Sequence, residues 1–301
     1  MTIQWFPGHM TRAKKDIKDL ITNIDVVIEL LDARAPFSSC NPLLQSIIRH
    51  KKTIRLLNKS DLADSKLTAT WLDYFNQKTN NTAITGSMAD KKQRNRIIKL
   101  CEKLAPNRNS FEKPLRVMIT GIPNVGKSTL INQLIGKKSA KTGDIPAVTK
   151  ANQCLTLRDD FLIYDTPGMM WEKIRYPQIG YNLALCNSIG RNALDEEVIV
   201  LYLLEYLQIY YPDNLAIRYK LSTEDLSAKD LTKMADLLLD IIAKKRGCIL
   251  SGGVTDRQKT SEIIIQDFRS GRIGLISLET PKLWEEWLKT DEAKIQDDVV
   301  K

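Results

Sequence analysis

Residues 115–129 constrain this 301-residue chain more than any other stretch. The apolar run Leu115–Thr120 leads directly into Gly121-Ile122-Pro123-Asn124-Val125-Gly126-Lys127-Ser128-Thr129, and helical spacing continues over Lys127–Ile135. A G-x-x-x-x-G-K-S run between a strand and a helix is the pattern of a phosphate-binding loop. Its glycines let the backbone curl until successive N–H groups face phosphate oxygens, and the helix N-terminus adds partial positive charge. The pattern assigns Asn124, Val125, Gly126 and Thr129 to the cradle. It assigns Lys127 to the β- and γ-phosphates and Ser128 to Mg²⁺. A Gly-rich turn without a ligand is the plain alternative, and the flanking strand and helix argue against it.

Two further boxes specify the nucleotide. Asn58-Lys59-Ser60-Asp61 follows the strand-like run Thr53–Leu57. In an N-K-x-D box the aspartate accepts from the guanine N1–H and 2-amino group, a donor pair that adenine lacks, so the box selects GTP over ATP. The lysine stem covers the base, and Asn58 ties the loop to its neighbours. Asp165-Thr166-Pro167-Gly168 follows the run Phe161–Tyr164. There Asp165 is expected to hold Mg²⁺ through water and the Gly168 amide to meet the γ-phosphate. Thr149 is the candidate switch threonine that completes the Mg²⁺ shell, with an ordinary loop threonine as the alternative. Thr85-Gly86-Ser87, after a short strand, stands where a loop supports the guanine ring.

The order of these boxes is unusual. A Ras-like GTPase presents phosphate loop, switch threonine, DxxG, NKxD and base loop in turn. Here NKxD and the base loop come first. Joining neighbouring termini and opening a new break builds the same sheet from this order. The expected fold is therefore α/β: a circularly permuted Ras-like P-loop GTPase domain with a mostly parallel sheet over 1–174. Strands are expected over 24–32, 53–57, 82–85 and 115–120, with a hairpin over 154–157 and 161–164. Helices are expected over 43–50, 65–78, 91–104 and 127–135. After Gly168 helical spacing takes over, at Leu183–Ile189, Glu196–Tyr210, Thr232–Lys245 and Gln258–Arg269. That implies a smaller all-α domain over 175–285 and a disordered tail over 286–301.

Charge adds a partner. The net +9 equals the surplus of residues 1–114, with 20 Lys/Arg against 11 Asp/Glu, because +3 over 115–174 and −3 beyond cancel. A basic first third suggests a polyanion, with a merely solvated basic surface as the alternative. Arg12, Lys14, Lys15 and Lys18 mark one basic helix. Lys91, Lys92, Arg94, Arg96, Lys99 and Lys103 mark a second. Trp171, Trp284 and Trp287 are expected as core or staple residues. No apolar run reaches membrane-spanning length, and the five cysteines have neither disulfide nor zinc spacing. The expected setting is a reducing cytoplasm with no membrane partner.

With these boxes in place, the chain resembles the circularly permuted ribosome-assembly GTPases nearly end to end. The resemblance is carried by Ile3-Gln4-Trp5-Phe6-Pro7-Gly8-His9-Met10, Leu31-Asp32-Ala33-Arg34, NKSD and GIPNVGKSTLIN. Further along it is carried by Ala140–Asp144, DTPG, Lys245-Arg246-Gly247-Cys248 and Ser251-Gly252-Gly253. It implies a cytoplasmic bacterial GTPase that acts late in large-subunit maturation and contacts ribosomal RNA and the large-subunit precursor; a monomer is the separate expectation for its assembly state. Ala147 stands where the family usually has glycine, which restricts the first switch. Met169-Met170-Trp171-Glu172 also departs from the family's usual run after DTPG.

Met169 occupies the place where many GTPases carry a glutamine that orients the attacking water, and a thioether cannot do that. The resemblance implies His9 for this task; the residues alone leave open a surface or RNA-facing role. Asn124 resembles the asparagine that binds K⁺ in cation-dependent GTPases, and an ordinary turn asparagine is the equal alternative. The implied protein is a GTP-gated switch whose useful hydrolysis rate needs the ribosome. The alternatives are a GTP-gated RNA-binding module with hydrolysis as a timer, and a signalling GTPase with protein partners.

Overall fold

The computed structural model describes residues 9–77, 81–108, 110–136, 153–170, 174, 176–190, 195–222, 225 and 230–286, with side chains from Lys15 onward. Thr149, Trp171, Trp287 and the expected tail beyond Glu286 lie outside the described residues.

One six-stranded sheet organises the first half of the chain, in the order β3-β2-β1-β4-β6-β5. Its strands are β1 Val26–Asp32, β2 Lys52–Asn58, β3 Asn81–Thr85, β4 Leu115–Gly121, β5 Gln153–Arg158 and β6 Phe161–Asp165. Every neighbouring pair is parallel except the β5–β6 hairpin. The apolar run of β1 follows from its central position, buried along its whole length with helices on both faces. Helix α1 His9–Ile21 leads into β1, and α2 Pro42–Ile48, α3 Ser65–Asn76, α4 Gln93–Leu104 and α5 Lys127–Ile135 connect successive strands. Local chemistry starts several of them. Asn41 accepts from the Leu43 and Leu44 N–H groups with Pro42 at the first turn, and Asp64 accepts from Lys66 and Leu67.

The helical half comprises α6 Pro177–Leu185, α7 Glu196–Tyr210, α8 Pro212–Tyr219, α9 Leu231–Arg246 and α10 Arg257–Arg269. Two elements differ from their periodicity. The helix expected over 183–189 starts at Pro177 and ends at Leu185, because Asn187 turns the chain at φ +64°. Helix α8 was not evident in the pattern, since a single residue, Tyr211, separates it from α7. Leu203, Leu207, Leu238, Leu239, Ile242 and Ile264 form the fully buried centre of this half.

After α10 the chain returns to the sheet half. The Ile276 N–H donates to the Leu62 carbonyl at 3.3 Å and the Leu278 N–H to the Arg34 carbonyl at 2.7 Å. Glu279 accepts from the Phe37 and Ser38 N–H groups, the Ser38 hydroxyl and Asn182 Nδ2. Its backbone carbonyl takes the Trp71 indole N–H at 3.1 Å. Trp284 packs on Phe37, a staple between the two halves.

Candidate functional site

The strand register brings the boxes to one edge. Asp32 pairs with Asn58, Leu57 with Thr85, Leu30 with Gly121 and Ile119 with Asp165, so all the box-bearing strands finish at the same carboxyl end. In open α/β sheets that end is where ligands bind.

The phosphate loop is shaped by backbone that a side chain would obstruct. Gly126 has φ +107°, and a Cβ there would lie 2.3 Å from Asn58 Nδ2. That amide instead donates to the Val125 carbonyl at 2.8 Å, joining the guanine box to the phosphate loop. Gly168 makes the other close approach: a Cβ would sit 2.9 Å from the Pro123 backbone and 3.1 Å from Lys127 Nζ. The DTPG loop is thereby pressed against the lysine.

Lys127 is buried, with Nζ donating to the carbonyls of Gly121 at 3.2 Å and Ile122 at 2.8 Å. Burial pushes its ammonium down to about 8, and Asp165 only partly offsets this. Asp165 is also buried; burial pushes its carboxyl up to about 6 against the opposing pull of Lys127 and the Thr166 N–H. Its Oδ1 and the Thr120 hydroxyl are buried without a hydrogen-bond partner. A buried ammonium and an orphaned carboxylate oxygen are costly unless a ligand answers them. A polyphosphate with Mg²⁺ would answer both. Among the described residues no group of three His, Cys, Asp or Glu could hold a metal by itself. The orphaned Asp165 oxygen and the Ser128 hydroxyl are oxygen donors of the kind that suits Mg²⁺, which completes its shell from phosphates and water. Ser128 and Thr129 lie half-buried in the first turn of α5.

On the guanine side, Lys59 adopts φ +59° and its Nζ donates to the Asn124 carbonyl at 3.0 Å and Asp32 Oδ2 at 2.9 Å. Ser60 donates through both N–H and hydroxyl to the Gly86 carbonyl, each at 3.0 Å. The Ser87 N–H donates to Gln93 Oε1 at 2.7 Å, and Arg96 donates to the Thr85 carbonyl at 2.7 Å. Loops 58–61 and 85–87 thus form one unit, with Asp61 exposed beside it.

Other expected residues have different surroundings. Met169 is fully buried among Ile17, Ile21, Val27, Leu44 and Met118. Helix α1 begins at His9, whose side chain lies outside what is described. Asn124 Nδ2 donates to the Asn187 carbonyl at 2.8 Å, linking the phosphate loop to the turn after α6. In the second basic helix Arg94 is used internally, donating to the Leu134 carbonyl, and Arg96 also pairs with Asp90. Lys91, Lys92, Lys99 and Lys103 remain exposed, as do Lys15 and Lys18 on α1. Asp32 and Arg34 join the site by contact, although the boxes do not contain them. Their signal was a charged pair at and just beyond the end of a buried strand, Asp32 closing it and Arg34 two residues on.

Known proteins are similar to this chain in sequence and fold. Residues 8–174 match the RsgA GTPase family, and residues 116–246 match the family described as 50S ribosome-binding GTPase. Ribosome biogenesis GTPase A of Bacillus cereus is 38% identical over 99% of this chain and all of its own length. The crystal structure of GNP-bound YlqF from T. maritima superposes with a TM-score of 0.61 at 28% identity, covering 90% of this chain and 98% of its own. The GDP-bound structure of T. maritima YlqF gives 0.62 at 27% identity, covering 88% and 99%.

Proposed function

The chain belongs to the ribosome biogenesis GTPase A family and is a GTPase, and from that premise we propose that it acts late in assembly of the large ribosomal subunit. In this reading the GTP form binds the immature particle and its ribosomal RNA, and hydrolysis releases the protein. The setting is cytoplasmic and the protein a monomer. No helix among the described residues is long and apolar enough to cross a membrane.

The observation that carries the reading is the buried Lys127 ammonium beside the orphaned Asp165 Oδ1 at the joined phosphate and DTPG loops. Lys127 supplies a desolvated cation for the β- and γ-phosphates, and the 121–126 backbone supplies N–H donors. Asn58, Lys59 and Asp61 hold and select the base, supported by Ser60 and the 85–87 loop. Ser128, Asp165 and Thr149 would hold Mg²⁺, which when bound neutralises charge on the phosphate oxygens. Phosphoryl transfer depends on positioning and charge more than on a strong base. Met169 is turned into the core, so water positioning falls to another group, and we assign it to His9. K⁺ at Asn124 would add positive charge where no arginine is supplied. Equal GTPase rates in K⁺ and Na⁺ would remove that ion from the account.

The exposed lysines of α1 and α4 suit RNA phosphates, which position a protein without reading sequence. Co-sedimentation with large-subunit precursors tests the reading. Binding with a non-hydrolysable GTP analogue and release with GDP is expected. Equal sedimentation in both states would overturn it.

A further inference from the structure

We propose that Asp32 and Arg34 are a positioning pair for the guanine box, fixing the Lys59 ammonium through Asp32 and tying it to the helical half through Arg34. The proposal rests on reading 58–61 as that box.

Both Asp32 oxygens are in use. Oδ1 accepts from the Arg34 backbone N–H at 3.1 Å and from Arg34 Nε at 2.9 Å. Oδ2 accepts from Arg34 Nη2 and from Lys59 Nζ, each at 2.9 Å. A two-pronged arginine holds a carboxylate in one orientation, so Asp32 offers Lys59 an acceptor at a fixed place. Lys59 needs such a holder. Its backbone lies in the left-handed region that only glycine adopts freely, and its flexible stem must lie across a base. Burial alone raises the Asp32 carboxyl, but Arg34 and Lys59 outweigh it and keep the group ionised well below the usual carboxylate range.

The other end of the pair is held from the helical half. The Arg34 guanidinium lies 5.1 Å from the Phe268 ring centroid on α10, and the Arg34 carbonyl accepts the Leu278 N–H at 2.7 Å. A continuous path therefore runs from α10 through Arg34, Asp32 and Lys59 to the Asn124 carbonyl of the phosphate loop. Asp32 and Arg34 are both buried, and buried ion pairs are weak stabilisers whose better-supported use is conformational specificity. Here the third member of the cluster is the lysine that covers the base.

The test is a double-mutant cycle on the full chain, read as affinity for fluorescent GDP with inosine diphosphate as competitor. Asp32→Asn is expected to weaken GDP about tenfold or more, as for loss of a charged hydrogen bond. It should weaken inosine diphosphate by the same factor, since Asp61 still reads the base edge. In a Lys59→Met background Asp32→Asn should have no further effect. Additive losses in that cycle would overturn the proposal. If Asp32→Asn gives no cooperative melt, Arg34→Lys takes its place in the same cycle, because it keeps the charge and loses the fork. Asp61→Ala serves as the control for the box. A surviving preference for GDP over inosine diphosphate would sink the guanine-box reading. Loss of that preference with an additive cycle would sink only the positioning role.

Discussion

The carboxyl edge of the sheet and the centre of the helical half bury their side chains for different ends. Leu203, Leu238 and Ile264 lie fully buried among other apolar residues. At the sheet edge Lys127, Asp165 and Thr120 are equally buried, yet carry a desolvated ammonium, an orphaned carboxylate oxygen and an orphaned hydroxyl. Burial in the first region stabilises the free protein. In the second it stores an unfavourable term that a bound nucleotide would relieve, so the two regions should differ in their response to substitution.

The largest expected effect tests that contrast from the nucleotide side. Lys127→Met should lower kcat/KM for GTP by about a thousandfold, because a preorganised cation at the transferring phosphate is lost. The melting temperature of the nucleotide-free protein should fall less than for a core truncation, because the loss of a desolvated ammonium offsets the loss of its bonds to the Gly121 and Ile122 carbonyls. Turnover assays and thermal melts on one preparation check both, and a large fall in that melting temperature would break the contrast. From the apolar side, Leu238→Ala should cost about 2–5 kcal/mol of stability. Its GTPase rate, measured well below the melt, should stay near that of the parent.

The contrast also explains how far the sequence could be read. The boxes stand out in the sequence because phosphate and guanine chemistry demand particular residue types at fixed spacing, and the strand register brings them to one edge. The long helices α7, α9 and α10 were legible from their apolar period. Contacts between segments distant in the chain were not. Nothing in Leu31-Asp32-Ala33-Arg34 says that Asp32 would face Lys59. Nothing at Glu279 says that it would cap the 37–38 turn from more than two hundred residues away. The short helix α8 was hidden because one residue parts it from α7, leaving no break in the pattern.

His9→Ala comes next in size. If His9 positions water, kcat should fall about a hundredfold with GTP affinity nearly unchanged. An unchanged rate in the presence of large subunits would exclude it.

The smallest effect lies at the seam between the regions. Burial pushes the Glu279 carboxyl up to about 7, against hydrogen bonds from Ser38, Phe37 and Asn182, with Tyr202 and Cys186 on the helical side. A folded-state pKa above the ordinary value near 4.5 means that the folded protein binds this proton more tightly. The contribution is fully present below about 4.5 and is lost as pH rises through about 7. Relative to Glu279→Gln, the parent's melting temperature should therefore fall by on the order of a few degrees between pH 5 and pH 8. Parallel pH profiles for the two proteins would show that the seam is not a titrating junction.

The most direct test of the whole account is calorimetric titration of the full chain with GTP and with ATP, each with and without Mg²⁺. A guanine site assembled from the permuted boxes predicts saturable GTP binding that tightens with Mg²⁺, and no comparable binding of ATP. Equal affinity for the two nucleotides would contradict it.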